Sequence, residues 1–279
     1  MAEIRANGVR FHVQQLSPPG GAGEGAAAEA ADAPTVVFVH GLVMDNLSSF
    51  YYTLAGPAVA AGARVILYDL RGHGRSERTA GCYSARDGVA DLCALLDALG
   101  VTRPVYLVGN SYGGIIAART AVAAPERVAG LVLIEAYCAG AGGAAWLEDM
   151  TNTLTVAALG LEYDRVQDRL GGPGQRKVAL LARHADALLN DTSLIDDLAA
   201  ERPLGLAELA GIDCPVLGVF GERSELVAAA SDLRCHVRDC RVEILPGLAH
   251  TVLQEATGTL RDILADWLAA SQPAGRAAR

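Results

Sequence analysis

Six short runs of aliphatic and β-branched residues recur along this chain, each bounded by turn residues. They are "TVVFVHG" (35–41), "ARVILYDLRG" (63–72), "PVYLVGNS" (104–111), "VAGLVLIEA" (128–136), "CPVLGVFGE" (214–222) and "CRVEILPG" (240–247). A strand with one wet face alternates apolar and polar residues. These runs are apolar at nearly every position, so both faces must be covered. Segments with helical spacing, such as "RDGVADLCALLDALG", "GGIIAARTAVAAPE" and "ATGTLRDILADWLAA", lie between or after them and supply the cover. The alternation predicts an α/β fold with a mostly parallel sheet flanked by helices. Near the N-terminus, "EIRANGVRFHVQQL" places two β-type runs around Asn7-Gly8, a pair that readily takes the positive φ of a tight hairpin.

Two segments depart from the rhythm. Residues 17–34, "SPPGGAGEGAAAEAADAP", lack large apolar side chains and are expected to form a mobile loop. Residues 138–210 carry helical runs, "AAWLEDMTNTLTVAALG" and "RKVALLARHADALLN", but no strand pattern. A long helical stretch between two sheet strands reads as an inserted lid. The expected organisation is therefore a core of residues 1–137 and 211–279 with a helical lid at 138–210.

The chain has 279 residues, enough for one such domain with an insertion. Its net charge of −9, with no Lys/Arg run, argues against nucleic acid or an anionic membrane as the main partner. No apolar window is long enough for a membrane span, and "MAEIRANGVRFHVQQL" is too polar for a signal peptide. A cytoplasmic protein is expected. The six cysteines (Cys82, Cys93, Cys138, Cys214, Cys235, Cys240) form no C-x-x-C pair, so reduced packing residues are expected, with no metal and no cofactor.

The chemistry concentrates at "VGNSYGG". Gly109-Asn110-Ser111-Tyr112-Gly113 fits G-x-S-x-G at the point where a strand must turn sharply into a helix. Glycines on either side let strand and helix approach closely while pushing the Ser111 hydroxyl out beyond the sheet. The helix then aims its free N–H groups at any anion forming beside that hydroxyl. The corner reads as an exposed nucleophile.

From about residue 8 to 270 the chain resembles the α/β-hydrolase family, serine-nucleophile branch. "FVHGLVMDN" resembles the family's oxyanion loop, "YDLRGHGRS" its next strand and turn, "VGNSYGG" its nucleophile elbow and "LPGLAH" its histidine loop. The resemblance implies an α/β-hydrolase fold and assigns His250 as general base for Ser111. It implies an oxyanion hole from the backbone N–H groups of Leu42 and Tyr112, with His40 shaping the loop. Asp69 matches a turn-fixing position, and Arg71 and Arg75 are read as bracing the same loop.

The third triad member departs from the family text. After "PVLGVFG" relatives run Gly, two residues, Asp, whereas Gly221-Glu222-Arg223-Ser224 puts serine at the acid position. Glu225, next along, is the first candidate, Glu135 at the end of "LVLIEA" the rival, and Glu222 a third. The implied activity is hydrolysis of a carboxylic ester, thioester or lactone through an acyl-enzyme, esterase- or thioesterase-like, with no cofactor. A cyclase, acyltransferase or C–C hydrolase would carry the same elbow, and a non-catalytic ligand-binding protein on the same scaffold stays open. A serine nucleophile argues against the aspartate-dependent branches, epoxide hydrolases and haloalkane dehalogenases. The apolar lid residues Trp146, Leu147, Met150, Leu154 and Val156 point to a small-molecule substrate with a hydrophobic acyl chain or a polyketide-like skeleton. An acyl-carrier-type donor is left open.

Overall fold

All six apolar runs form strands, and their side chains divide between two cores with the period of two that a pleated strand imposes. A computed structural model describes residues 2–18, 33–136, 139–168 and 176–271, with side chains omitted at 162–181. The strands are β1 Ala2–Ala6, β2 Val9–Leu16, β3 Thr35–Val39, β4 Arg64–Tyr68, β5 Val105–Asn110, β6 Val128–Ile134, β7 Val216–Gly221 and β8 Cys240–Leu245. They make one eight-stranded sheet of order β1-β2-β4-β3-β5-β6-β7-β8. β1 and β2 pair antiparallel around Asn7 (φ 46°) and Gly8 (φ 75°), and β2 runs antiparallel to β4. From β4 to β8 every pairing is parallel.

On β3, Val37 and Val39 enter one apolar cluster while Val36 and Phe38 enter the other. Leu107 and Val108 on β5, and Leu133 and Ile134 on β6, divide the same way. Helices α1 (Ala85–Ala98) and α2 (Tyr112–Ala123) cover the first face through Leu92, Leu95, Ile115 and Ile116. A capping box between Ser84 and Asp87 starts α1 and satisfies N–H groups that its first turn leaves unpaired. The opposite face lies under the helical segment from Ser48 to Ala60 and the C-terminal helix at Thr257–Ser271, whose Leu260, Leu264 and Trp267 are buried. β8 closes the sheet as a half-exposed edge, with Arg241 paired to Glu243 on it, a charged surface that discourages further strand addition.

Between β6 and β7 the described residues form α3 (Gly140–Asp168), α4 (Arg176–Asn190), α5 (Leu194–Ala199) and α6 (Leu206–Ala210), with one isolated bridge, Ala139 to Leu204. The far part of this insertion is fixed to the start of α1. Asp197 accepts from Tyr83 N–H at 2.9 Å, and Glu201 accepts from Ala85 N–H at 2.7 Å while pairing with Arg119 at 2.7 Å. Trp146 and Leu147 are buried in the main cluster, with Met150 and Leu154 packed against it. Val156 is 71% exposed, so it points to solvent rather than to the interior. The loop expected at 17–34 falls mainly on residues 19–32, outside the described residues, as does Cys138. The other five cysteines are free thiols. No described helix is long and apolar enough to cross a membrane.

Candidate active site

The carboxyl ends of β3, β5, β6, β7 and β8 lie side by side, and each carries one part of the site. Ser111 follows β5 with φ 52° and ψ −123°, a backbone region that L residues rarely enter and that costs of order 1–3 kcal/mol. Two close approaches hold it there. A Cβ on Gly109 would lie 2.4 Å from Gly113 O, and one on Gly113 would lie 2.1 Å from Val39 O. Neither position accepts a side chain, so the elbow packs against β3 only with glycine at both places. Ser111 N–H donates to Ile134 O at 2.9 Å, tying the elbow to the end of β6.

The loop after β3 is fixed from below by two histidines. His40, fully buried, donates Nδ1–H to Gly41 O at 2.7 Å and accepts Leu70 N–H on Nε2 at 2.9 Å. His73 repeats the arrangement, with Nδ1–H to Arg71 O at 2.8 Å and Nε2 accepting Val43 N–H at 2.8 Å. A carbonyl can only accept and a backbone N–H can only donate, so each ring must be neutral with its proton on Nδ1. Burial enforces this: it lowers the His40 pKa and pushes that of His73 down to about 3. Asp45 adds the next restraint, its Oδ2 accepting Gly41 N–H at 2.7 Å. With Gly41, Val43 and Met44 N–H all engaged, Leu42 N–H is the one donor of residues 41–44 left without an acceptor among the described residues. Tyr112 N–H, first in α2, has no acceptor within its helix.

Asp69 organises the neighbouring turn, its carboxylate accepting Leu47 N–H and Arg75 N–H at 2.9 Å each and contacting His12 Nδ1 at 2.8 Å. Arg71 forms a buried two-point pair with Asp91 at 2.6 and 2.9 Å. Both are bracing roles.

The three glutamates separate clearly. Glu135, directly after β6, is completely buried and takes φ 49°, which turns its side chain toward the β7 and β8 loops. Its Oε1 accepts Gly221 N–H at 2.5 Å, its Oε2 accepts the Ser224 hydroxyl at 2.5 Å, and the same Oε2 faces His250 Nδ1 at 3.1 Å. Glu225 is exposed and makes no hydrogen bond to His250; the bond that sequence reasoning gives it first goes instead to Glu135. The residue that turns inward after β7 is Ser224, and Glu225 consequently points out. Glu222 accepts Gly247 N–H at 2.8 Å and braces the histidine loop. A carboxylate can only accept, so His250 carries its proton on Nδ1 and leaves Nε2 as acceptor. The hydrogen bond to Glu135 raises the His250 pKa, partial burial opposes it, and the charges of Glu135 and Glu225 add to the rise. The ring is 38% exposed, open to a substrate. Among the described residues no hydrogen bond joins Ser111 Oγ to His250; such bonds are often long until a ligand binds.

The fold brings Ser111, Leu42, Tyr112 and His250, all singled out from the sequence, to one edge of the sheet. Sequence reasoning did not single out Asp45, His73 or Ser224 as supports. Their signal is faint, because a polar residue in a Gly-rich turn looks alike whether it braces a loop or faces water. Leu42 and Tyr112 also line a small cavity with Phe11, Tyr68, Tyr83 and Leu194, on which neither Ser111 nor His250 borders. No group of three or more His, Cys, Asp or Glu side chains able to hold a metal ion occurs among the described residues.

The family model described as "alpha/beta hydrolase fold" matches residues 34–198, more than half of the chain. The chain is 30% identical to "Putative carbamate hydrolase RutD" of Variovorax paradoxus over 259 residues, covering 88% of this chain and 96% of that one. It is 32% identical to 2-hydroxy-6-oxo-2,4-heptadienoate hydrolase of Pseudomonas putida over 212 residues, 75% of this chain and 69% of the other. Among solved structures, the enol-lactonase of Burkholderia xenovorans LB400 superposes with TM-score 0.69 at 21% identity, covering 96% of this chain and all of that one. The family match and relatives aligned along most of the length lead to one assignment: the chain belongs to the α/β-hydrolase family and is an enzyme of the hydrolase class.

Proposed function

We propose that this protein is a serine hydrolase that cleaves a carboxylic ester, thioester or lactone through an acyl-enzyme on Ser111. The observation that carries the reading is the bond between buried Glu135 and His250 Nδ1, made on the strand next to a serine held at positive φ. His250 Nε2 takes the Ser111 proton as Oγ attacks the carbonyl carbon, and the imidazolium formed is stabilised by Glu135. The carbonyl oxygen becomes an oxyanion, received by Leu42 N–H and Tyr112 N–H. Collapse expels the alcohol, thiol or ring oxygen, which leaves with the proton from His250. Water then repeats the sequence on the acyl-enzyme, releasing the acid and restoring Ser111.

Residues 138–210 serve as the lid in this reading, and its inward apolar side chains Trp146, Leu147, Met150 and Leu154 favour a hydrophobic acyl substrate. A second reading, cleavage of a C–C bond next to a carbonyl, draws support from the likeness to 2-hydroxy-6-oxo-2,4-heptadienoate hydrolase. The test is intact-mass spectrometry after exposure to a fluorophosphonate, with Ser111→Ala alongside, followed by a p-nitrophenyl ester chain-length series. One adduct on the wild type alone, with ester turnover, is the expected result. An unlabelled wild type would sink the serine mechanism, and labelling without ester turnover would favour the C–C reading.

A further inference from the structure

We infer that Ser224 is a positioning residue for the proposed triad: its hydroxyl clamps the carboxylate of Glu135, supplied from the neighbouring strand, against His250. The inference rests on the reading of Glu135 as the triad acid.

Ser224 is 4% exposed, so its hydroxyl must find partners in the protein. Its oxygen accepts Leu226 N–H at 3.1 Å. That contact directs its single proton to Glu135 Oε2 at 2.5 Å. Gly221 N–H holds the other oxygen, Oε1, at 2.5 Å. Both clamping donors therefore come from the end of β7, whereas Glu135 itself follows β6. The oxygen that receives the serine proton is the one that faces His250, so the clamp acts on the catalytic contact. Glu135 needs such a clamp, because at 0% exposure no water can replace a lost donor and its backbone is held at φ 49°.

The carboxylate thus follows one strand and its hydroxyl donor the next. The division makes a reciprocal exchange meaningful. Ser224→Asp alone would put two carboxylates within hydrogen-bond distance, and like charges so close cannot both ionise. Combined with Glu135→Gln, the charge moves to position 224 and the amide introduced at position 135 becomes the donor, preserving one acid and one donor against His250.

The experiment is kcat/KM against pH on a p-nitrophenyl ester for wild type, Ser224→Ala, Ser224→Thr, Glu135→Gln and Glu135→Gln/Ser224→Asp, each checked by thermal melt. Ser224→Ala should lower kcat about 10-fold with KM little changed. Its acid limb should move to higher pH, since Oε2 then serves His250 alone. Ser224→Thr, which keeps the hydroxyl, should restore both values. The double variant should exceed Glu135→Gln by about 10-fold or more, a coupling that independent sites would not show. A wild-type profile in Ser224→Ala beside a crippled Glu135→Gln would overturn this inference and leave the triad standing. So would a folded double variant no more active than Glu135→Gln. Wild-type activity in Glu135→Gln would instead overturn the acid assignment, and this inference with it.

Discussion

The loop after β3 and the loop after β8 face each other across the elbow, and each depends on histidine, yet the two loops use it in opposite protonation regimes. His40 and His73 are buried among backbone groups, with no carboxylate among the described residues bonded to either ring, and their pKa values fall. His250 is half open to solvent but bonded to a carboxylate, and its pKa rises. The imidazole is the same; its neighbours decide whether it is a rigid acceptor or a base. Rings kept neutral can hold a loop in one shape, while a ring whose charged form is stabilised can receive a proton during reaction.

The largest break in this comparison comes from removing the carboxylate. Glu135→Gln should lower kcat/KM by about 10⁴, as loss of the orienting acid does in serine triads. The acid limb of the pH profile should also move to lower pH, because the main cause of the raised His250 pKa is gone while partial burial remains. A pH–rate series reads both effects. An unshifted limb would mean that His250 is not the titrating base.

Under the β3 loop, His73→Leu removes the acceptor of Val43 N–H and leaves a donor unpaired. Stability should drop by about 1–3 kcal/mol in urea titration. At the same time kcat should fall about 10-fold, as Leu42 N–H loses its fixed aim. A stable variant with wild-type kcat would show that the β3 loop keeps its shape without the histidine.

The stability of the protein should carry the sign of the neutral pair. The folded-state pKa values of His40 and His73 lie below the ordinary 6.5, so the unfolded chain takes up protons first as pH falls. The contribution of these rings is therefore complete above about pH 6.5 and is lost progressively toward the folded value of about 3 for His73. His250 runs the other way: its contribution is present below 6.5 and is lost as pH rises through its raised folded value. Urea midpoints between pH 7 and 5 should fall in wild type and fall less in His73→Leu. Equal slopes in the two proteins would remove His73 from the account.

The smallest effect sharpens the contrast between the glutamates. Glu225 acts on His250 only through its charge, so Glu225→Gln should leave kcat within about 2-fold and move the acid limb slightly down. That shift should shrink in high salt, since an exposed charge is screened. A loss as large as that of Glu135→Gln would return the acid role to Glu225.

Much of this architecture was legible because its causes are local. Near-continuous apolar runs could be satisfied only by a sheet covered on both faces, and the two clusters divide each strand accordingly. Asn7-Gly8 made its hairpin through two positive φ values. Gly109 and Gly113 marked the elbow because no side chain fits against Gly113 O or Val39 O. Ser111 was singled out by the same elbow, and His250 by the resemblance of "LPGLAH" to the family's histidine loop.

The partner of His250 was of a different kind. Glu135 lies 115 residues away along the chain, and the contest among Glu135, Glu222 and Glu225 turned on side-chain direction. A positive φ after β6 aimed one carboxylate inward, the turn after β7 buried Ser224 and exposed Glu225, and Glu222 was taken by Gly247 N–H. The neutral histidines under the β3 loop are equally non-local, since their state depends on burial by residues 30 positions away. By itself the sequence determined the strands and the elbow that carries Ser111, through periodicity and glycine sterics, while the family resemblance pointed to His250. Only the tertiary structure decided which carboxylate meets His250 and which histidines stay uncharged, because hydrogen bonding and desolvation depend on what surrounds a group in space.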